Sequence, residues 1–225
     1  MRSRPPSLRE CFKFPLSTAA ARRDVLIGGS LLLLLFVGWI LNLGHRLDVV
    51  YRVYHDKPPY FRGFAPLRET FRRGLRAFAA IALYLSPAVL LAGVTFILQT
   101  KVRAPLAWLT GALALACFVV AVYALPGGMT YNAALNDLSY LYRPDKALRR
   151  ALDGGTAYLR AWAIALAAIS LTPLGALALG VGFFYSSVWA GSVVGYAFSR
   201  ALVFQVEPLP SPSHQAAEQL KRHGE

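Results

Sequence analysis

The sequence predicts an all-α fold: a polytopic integral membrane helix bundle, about five spans with two interfacial amphipathic helix hairpins. Three observations lead there. Charged residues make up 16% of the chain and hydrophobic ones 56%, whereas a soluble domain carries about 25% charged residues. The charges are confined to the margins of long uncharged runs at 25–44, 77–100, 104–136 and 161–199, and about 20 apolar residues cover the roughly 30 Å of a bilayer core. Between these runs, basic and apolar side chains recur at helical spacing, the pattern of helices lying in a membrane surface.

Taken in order, residues 1–24 form a basic leader, with Phe12, Phe14 and Leu16 as an apolar patch among Arg9, Lys13 and Arg22. The first uncharged run is too long for a signal-peptide core of about 7–15 residues, so it is expected to stay as a first span at 25–44. Asn42 is its only strongly polar side chain. Residues 45–76 are then expected to lie on the surface as two segments separated by Pro58-Pro59. Leu47, Val50, Tyr51 and Tyr54 mark the apolar face of the first, and Leu67, Phe71, Leu75 and Phe78 that of the second. Arg68, Arg72, Arg73 and Arg76 form the opposite, basic face of the second segment.

The second span is placed at 77–99, with Ser86-Pro87 inside it, and the third at 106–125, closed by Pro126-Gly127-Gly128. Surface helices follow over 129–153, with Arg149 and Arg150 facing the headgroups. Spans four and five are placed at 157–173 and 181–204, turning between Thr172-Pro173 and Gly180-Val181-Gly182. Ser187, Gly191 and Gly195 make a small-xxx-small face on which another helix can pack. Residues 206–225 are a polar, proline-containing tail. The membrane domain as a whole covers 25–205. Spans one to four, with their surface helices, fit either a parallel duplication or chance helical architecture.

The net charge of +13 raises nucleic acid as a partner. Its restriction to span margins points instead to membrane lipids with anionic headgroups on the cytoplasmic side. Two cysteines, Cys11 and Cys117, do not make a disulfide framework. The loops rich in Arg and Lys, 45–76 and 126–156, fall on one side, and the positive-inside rule places them and the tail in the cytoplasm, with the inner (cytoplasmic) membrane as the location. Five spans would then put the leader outside, although it holds Arg2, Arg4, Arg9, Lys13, Arg22 and Arg23. Either the loop arginines prevail, or the run 25–44 is a re-entrant hairpin that returns to the cytoplasm.

None of the uncharged runs holds an ionisable side chain at mid-depth, which argues against ion-coupled transport, proton relays and intramembrane proteolysis. Of the four histidines, His45, at the end of the first run, is the one candidate for a cofactor contact, as an axial ligand of a porphyrin-like pigment. No cofactor, metal site or acid–base pair is expected otherwise, and the chain is not expected to be an enzyme. The leading expectation is an accessory or scaffolding subunit packing with other membrane protein subunits. The alternative, a transporter or lipid-handling component, requires a polar cavity lined by Asn42, Ser86, Thr172 and Ser186.

One further pattern stands out. Val25-Leu26-Ile27-Gly28-Gly29, then Gly38 to Gly44-His45-Arg46-Leu47, then Pro58-Pro59-Tyr60-Phe61-Arg62-Gly63-Phe64 and Gly74-Leu75, resembles the prokaryotic membrane family called domain of unknown function 4013. The resemblance runs over about residues 12–203. It departs at His45, where an aromatic residue is the family's pattern. It implies a membrane fold and a location, and no particular activity.

Overall fold

The protein, seen in a computed structural model, is described over residues 6–55, 57, 67–101, 104–178 and 180–203. The 206–225 tail and the Pro58–Phe64 part of the resemblance lie outside the described residues. The elements are α1 (Leu8–Lys13), α2 (Ala19–Leu32), α3 (Phe36–Tyr54), α4 (Leu67–Lys101), α5 (Ala104–Leu135), α6 (Ser139–Tyr142), α7 (Pro144–Asp153), α8 (Gly155–Leu171) and α9 (Gly182–Val203). Short 3-10 segments cover Phe14–Leu16 and Thr172–Leu177, and the described residues contain no strand. Three stretches are long and apolar enough to cross a membrane, Leu67–Thr100, Pro105–Leu135 and Gly155–Leu177.

The first expected span is not one continuous helix. The run 25–44 breaks at Leu33–Leu35 and folds back as an antiparallel pair, α2 and α3. Neither arm is among the stretches long and apolar enough to cross: α2 has 14 residues, about 21 Å of helix, with Arg22, Arg23 and Asp24 within it, and the 19-residue α3 carries Arg46, Asp48 and Arg52. The Asn42 amide holds the pair together. Its Nδ2 donates to the carbonyl of Gly28 across the hairpin at 3.0 Å and to that of Gly38 on its own helix at 2.9 Å. Gly28 and Gly38 leave no room for a side chain, because a Cβ at Gly28 would lie 2.7 Å from the Asn42 Oδ1 and one at Gly38 would strike the Leu31 carbonyl. The tip is apolar and outward, with Leu34, Leu35 and Phe36 61–72% exposed. The run thus folds as a helical hairpin, the shape that the re-entrant alternative requires.

The surface helices expected at 45–76 and 129–153 are also redrawn. Residues 45–54 continue α3. Residues 67–76 are the first turns of the 35-residue α4, since nothing between Arg76 and Ala77 interrupts the helix. Helix α5 likewise runs through Pro126-Gly127-Gly128 to Leu135. A proline costs a helix one hydrogen bond, a loss that neighbouring helices offset in membrane bundles. Here α7 packs on that point: a Cβ at Gly127 would sit 3.2 Å from the Ala147 carbonyl. Pro87 is likewise inside α4. The expected turn after Thr172-Pro173 and the last helix stand close to their expected places.

Helix α9 is the central support. It packs with α8 around Tyr158, Ile164, Val193 and Phe198. The leader also belongs to this core. Ser7 caps α1 by accepting from the Glu10 N–H at 3.2 Å, and Thr18 caps α2 by accepting from Ala21 at 3.1 Å. Cys11 is fully buried, Phe12 packs edge-on against Trp189 at 5.1 Å, and Phe14 stacks on Tyr196 at 4.2 Å. The expected boundary at residue 24 falls inside α2, and the two halves of the proposed duplication differ, one opening with a hairpin and the other with a long apolar helix.

Candidate functional site

Helices α3 and α4 cross at two glycines. A Cβ on Gly44 would collide with the Thr70 carbonyl, and one on Gly74 with the Ile40 carbonyl. This contact brings the end of α3 alongside the basic first turns of α4. The C-terminal end of α5 forms a third wall, and a cavity of about 350 Å³ opens between them. Leu47, Tyr51 and His55 line it from α3, and Glu69, Arg72, Arg73 and Arg76 from α4. Asn132 to Asn136 and Leu138 line it from the end of α5 and the turn beyond.

The charges in this cleft are unequally matched. Arg73 is spoken for: Nη1 donates to Asp48 Oδ1 at 3.2 Å and Nη2 to Glu69 Oε1 at 2.5 Å. Asp48 also accepts from Arg52 Nε at 2.7 Å. Arg72 and Arg76, one turn apart on the same face, form no side-chain ion pair among the described residues. Of the charged side chains that line the cleft, Arg72, Arg73 and Arg76 face one carboxylate, Glu69. The carbonyl end of α5 returns about half a negative charge, which leaves the excess positive. Lys57 adds a cation at the edge, its Nζ 5.1 Å above the Tyr51 ring.

The turn after α5 is built to hold its shape. Asn136 takes a positive φ of 55°, which Asn tolerates better than most residues. Asn132 Nδ2 donates to the Asp137 carbonyl at 3.0 Å. Asp137 accepts from the Ser139 N–H at 2.8 Å and from its hydroxyl at 2.9 Å. These bonds, the backbone one first, hold the Asp137 carboxyl below the usual carboxylate value, and Lys146 adds to the effect. The Tyr142 hydroxyl donates to the Arg76 carbonyl at 3.3 Å, which ties α6 to α4.

The other expected residues fall elsewhere. Arg68 is exposed at the start of α4, and Arg149 is exposed on α7. Arg150 is partly exposed and engaged with its neighbours: its guanidinium lies 5.1 Å from the Tyr131 ring and 5.8 Å from that of Tyr140, with Asp153 at 3.7 Å. On α9, Gly191 is buried beneath the guanidinium of Arg46, and a Cβ on Gly195 would lie 4.0 Å from the Arg46 carbonyl oxygen. The helix that occupies this small-residue face is α3 of the same chain. Ser187 donates to the Phe183 carbonyl at 2.7 Å. His45 is half-buried, and the void that it shares with Asp24, Asn42 and Thr70 measures about 10 Å³, room for one water and none for a porphyrin. No group of three His, Cys, Asp or Glu able to hold a metal occurs among the described residues.

Among the described residues, the four side chains of the transporter alternative make largely separate contacts. Asn42 is committed to the hairpin. The Ser86 hydroxyl donates to Leu83, and only Thr172 and Ser186 meet, the Ser186 hydroxyl donating to the Thr172 carbonyl at 2.8 Å. The basic cleft was half visible in the sequence, because Arg72, Arg73 and Arg76 stand out as a helix face. Its other walls, His55 and Asn132 to Asn136, carry no pattern of their own.

No curated protein and no solved structure matches the chain. A family match does exist, and it covers the glycines that set these crossings, Gly28, Gly38, Gly44 and Gly74: over residues 27–181 the chain matches, and so belongs to, the family described as protein of unknown function (DUF4013).

Proposed function

We propose that the protein is a non-catalytic accessory or scaffolding subunit of a larger complex in the cytoplasmic membrane. One observation carries this reading: the α4–α5 pair has broad apolar flanks that no other described residue covers. Only 11% of the apolar window of α4 is buried, and 17% of that of α5. Val89, Leu90 and Phe96 on one helix and Trp108, Leu109 and Leu115 on the other all face outward, and Gly93 has open space beside it. The two helices grip each other through Thr95 and Thr110, whose hydroxyls meet at 2.9 Å. Such flanks suit lipid on one side and a neighbouring subunit's helix on the other.

In this reading α9 is the fourth crossing beside α4, α5 and α8. The leader, the base of the α2–α3 hairpin, helices α6 and α7 and the C-terminal tail all share the cytoplasmic side, next to anionic headgroups. The re-entrant hairpin supports this arrangement, because it lets the basic leader stand on the same side as the basic loops. Purification in mild detergent from the native membrane tests the proposal. A stoichiometric membrane partner is expected to co-elute. A stable, partner-free monomer that leaves the membrane without any associated subunit overturns it.

A further inference from the structure

We propose that the cleft between α3, α4 and the α5–α6 turn binds the phosphate of one anionic phospholipid headgroup, held by Arg72 and Arg76. Two like charges spaced i, i+4 on a helix repel each other, and no carboxylate among the described residues relieves this pair. Glu69, the acid nearest in sequence, is already taken by Arg73. An incoming oxyanion supplies the missing charge, and guanidinium forks are suited to phosphate oxygens.

Size and position narrow the ligand. A cavity of about 350 Å³ lies at the small end of ligand sites, which run from roughly 300 to 1,000 Å³. It holds a glycerophosphate headgroup and excludes the acyl chains. The uncharged run of α4 begins at Ala77, directly after Arg76, so a headgroup in the cleft sits where its chains can continue along the apolar helix. Leu75 and Leu138 are exposed nearby, 46% and 41%, and give those chains an apolar edge. His55, whose Nδ1 lies 2.9 Å from the Tyr51 carbonyl, and Asn136 supply further polar groups to a headgroup. Free phosphate has the same oxyanion chemistry and lacks this apolar continuation.

The proposal rests on α4 entering the membrane from its basic end, and it does not require a partner subunit. The test is native mass spectrometry of the detergent-purified full chain, titrated with phosphatidylglycerol, phosphatidylcholine or inorganic phosphate. The wild type is expected to take one phosphatidylglycerol per chain at least about tenfold more tightly than phosphatidylcholine. Arg72→Gln with Arg76→Gln is expected to remove that preference, since charged hydrogen bonds are individually worth roughly tenfold or more in affinity. Arg72→Gln alone, at an exposed position that folding does not depend on, is expected to weaken binding several-fold. Arg149→Gln, on α7, is expected to leave it unchanged. Wild-type affinity in the double variant, or equal affinity for the two lipids, overturns the proposal. Saturation by inorganic phosphate alone, with no gain from acyl chains, overturns the lipid assignment. A chain that co-elutes with a partner and binds no anionic lipid sinks this inference and leaves the accessory role standing.

Discussion

Glycine and asparagine set the helix positions at the level of single residues. Gly44→Ala forces α3 and α4 apart, because the added methyl meets the Thr70 backbone and not a side chain that can swing away. A loss of about 2 kcal/mol or more is expected, typical of overpacking, read as a lower melting temperature in detergent. Gly191→Ala is expected to cost less, since its obstacle is the movable end of Arg46. Gly93→Ala, in open space, is expected to be neutral or stabilising by up to about 1 kcal/mol from helix propensity; a large loss there in the isolated chain would falsify the open flank. Asn42→Leu removes two hydrogen bonds and is expected to cost about 1–3 kcal/mol. Burial pushes the Cys11 thiol up to about 12, Glu10 adding to the rise and Arg200 opposing it. A maleimide at neutral pH is therefore expected to leave Cys11 unlabelled until the protein is denatured; rapid labelling of the native protein would contradict the leader's docked position.

Among the elements, the α2–α3 hairpin departs furthest from sequence expectation. Its break falls in an unbroken run of leucines with no proline, glycine or polar residue to announce it, so hydropathy alone reads a single span. The break is instead set from outside, by Asn42 and the close glycine contacts. Its mark is Leu35, at φ 49°, a conformation that costs a non-glycine residue about 1–3 kcal/mol. Leu35→Gly is thus expected to be neutral or stabilising in a melting experiment, whereas in a continuous helix it would cost about 1 kcal/mol. Cysteines at Ser17 and Lys57, both exposed and flanking the hairpin, are expected to react with an impermeant reagent from the same side. Labelling from opposite sides would restore the span. The α5–α6 turn offers a pH test. The Asp137 carboxyl is held below its ordinary value of 3.8, so its contribution is present above that value and fades as pH falls through the folded one. The difference in melting temperature between wild type and Asp137→Asn is expected to be constant near neutrality and to shrink below about pH 3.8.

For the molecule as a whole, the long apolar helices were legible because length and charge exclusion act over twenty residues and survive local irregularity. The ends were less so. Arg76-Ala77 and Pro126-Gly127 looked like boundaries between surface and span, and the helices run through both, since a packed neighbour offsets what the local residues disfavour. Half the cleft was legible for a related reason: the arginine face is a periodic signal, while Tyr51, His55 and Asn136 reach the same space only through the Gly44–Gly74 crossing. The leader's cations and the loop cations conflict under five crossings and agree once the first run re-enters. Fluorescent-protein fusions at the two termini are expected to be fluorescent on the cytoplasmic side in both cases.

The docking of α2 against α9 also has a consequence in time. Gly28 meets Val188, Gly29 meets the Tyr185 ring, and Glu10 accepts from the Tyr196 hydroxyl at 2.6 Å. The hairpin emerges early from the ribosome, and its supporting surface is made 160 residues later. At about 5–20 residues per second, that is a wait of roughly 8–32 seconds. Through that interval the newborn hairpin lacks the helix that packs on Gly28, Gly29 and Arg46, so a chain stopped before Gly182 is expected to be cleared by membrane proteases faster than one stopped after Val203, as a pulse-chase comparison would show.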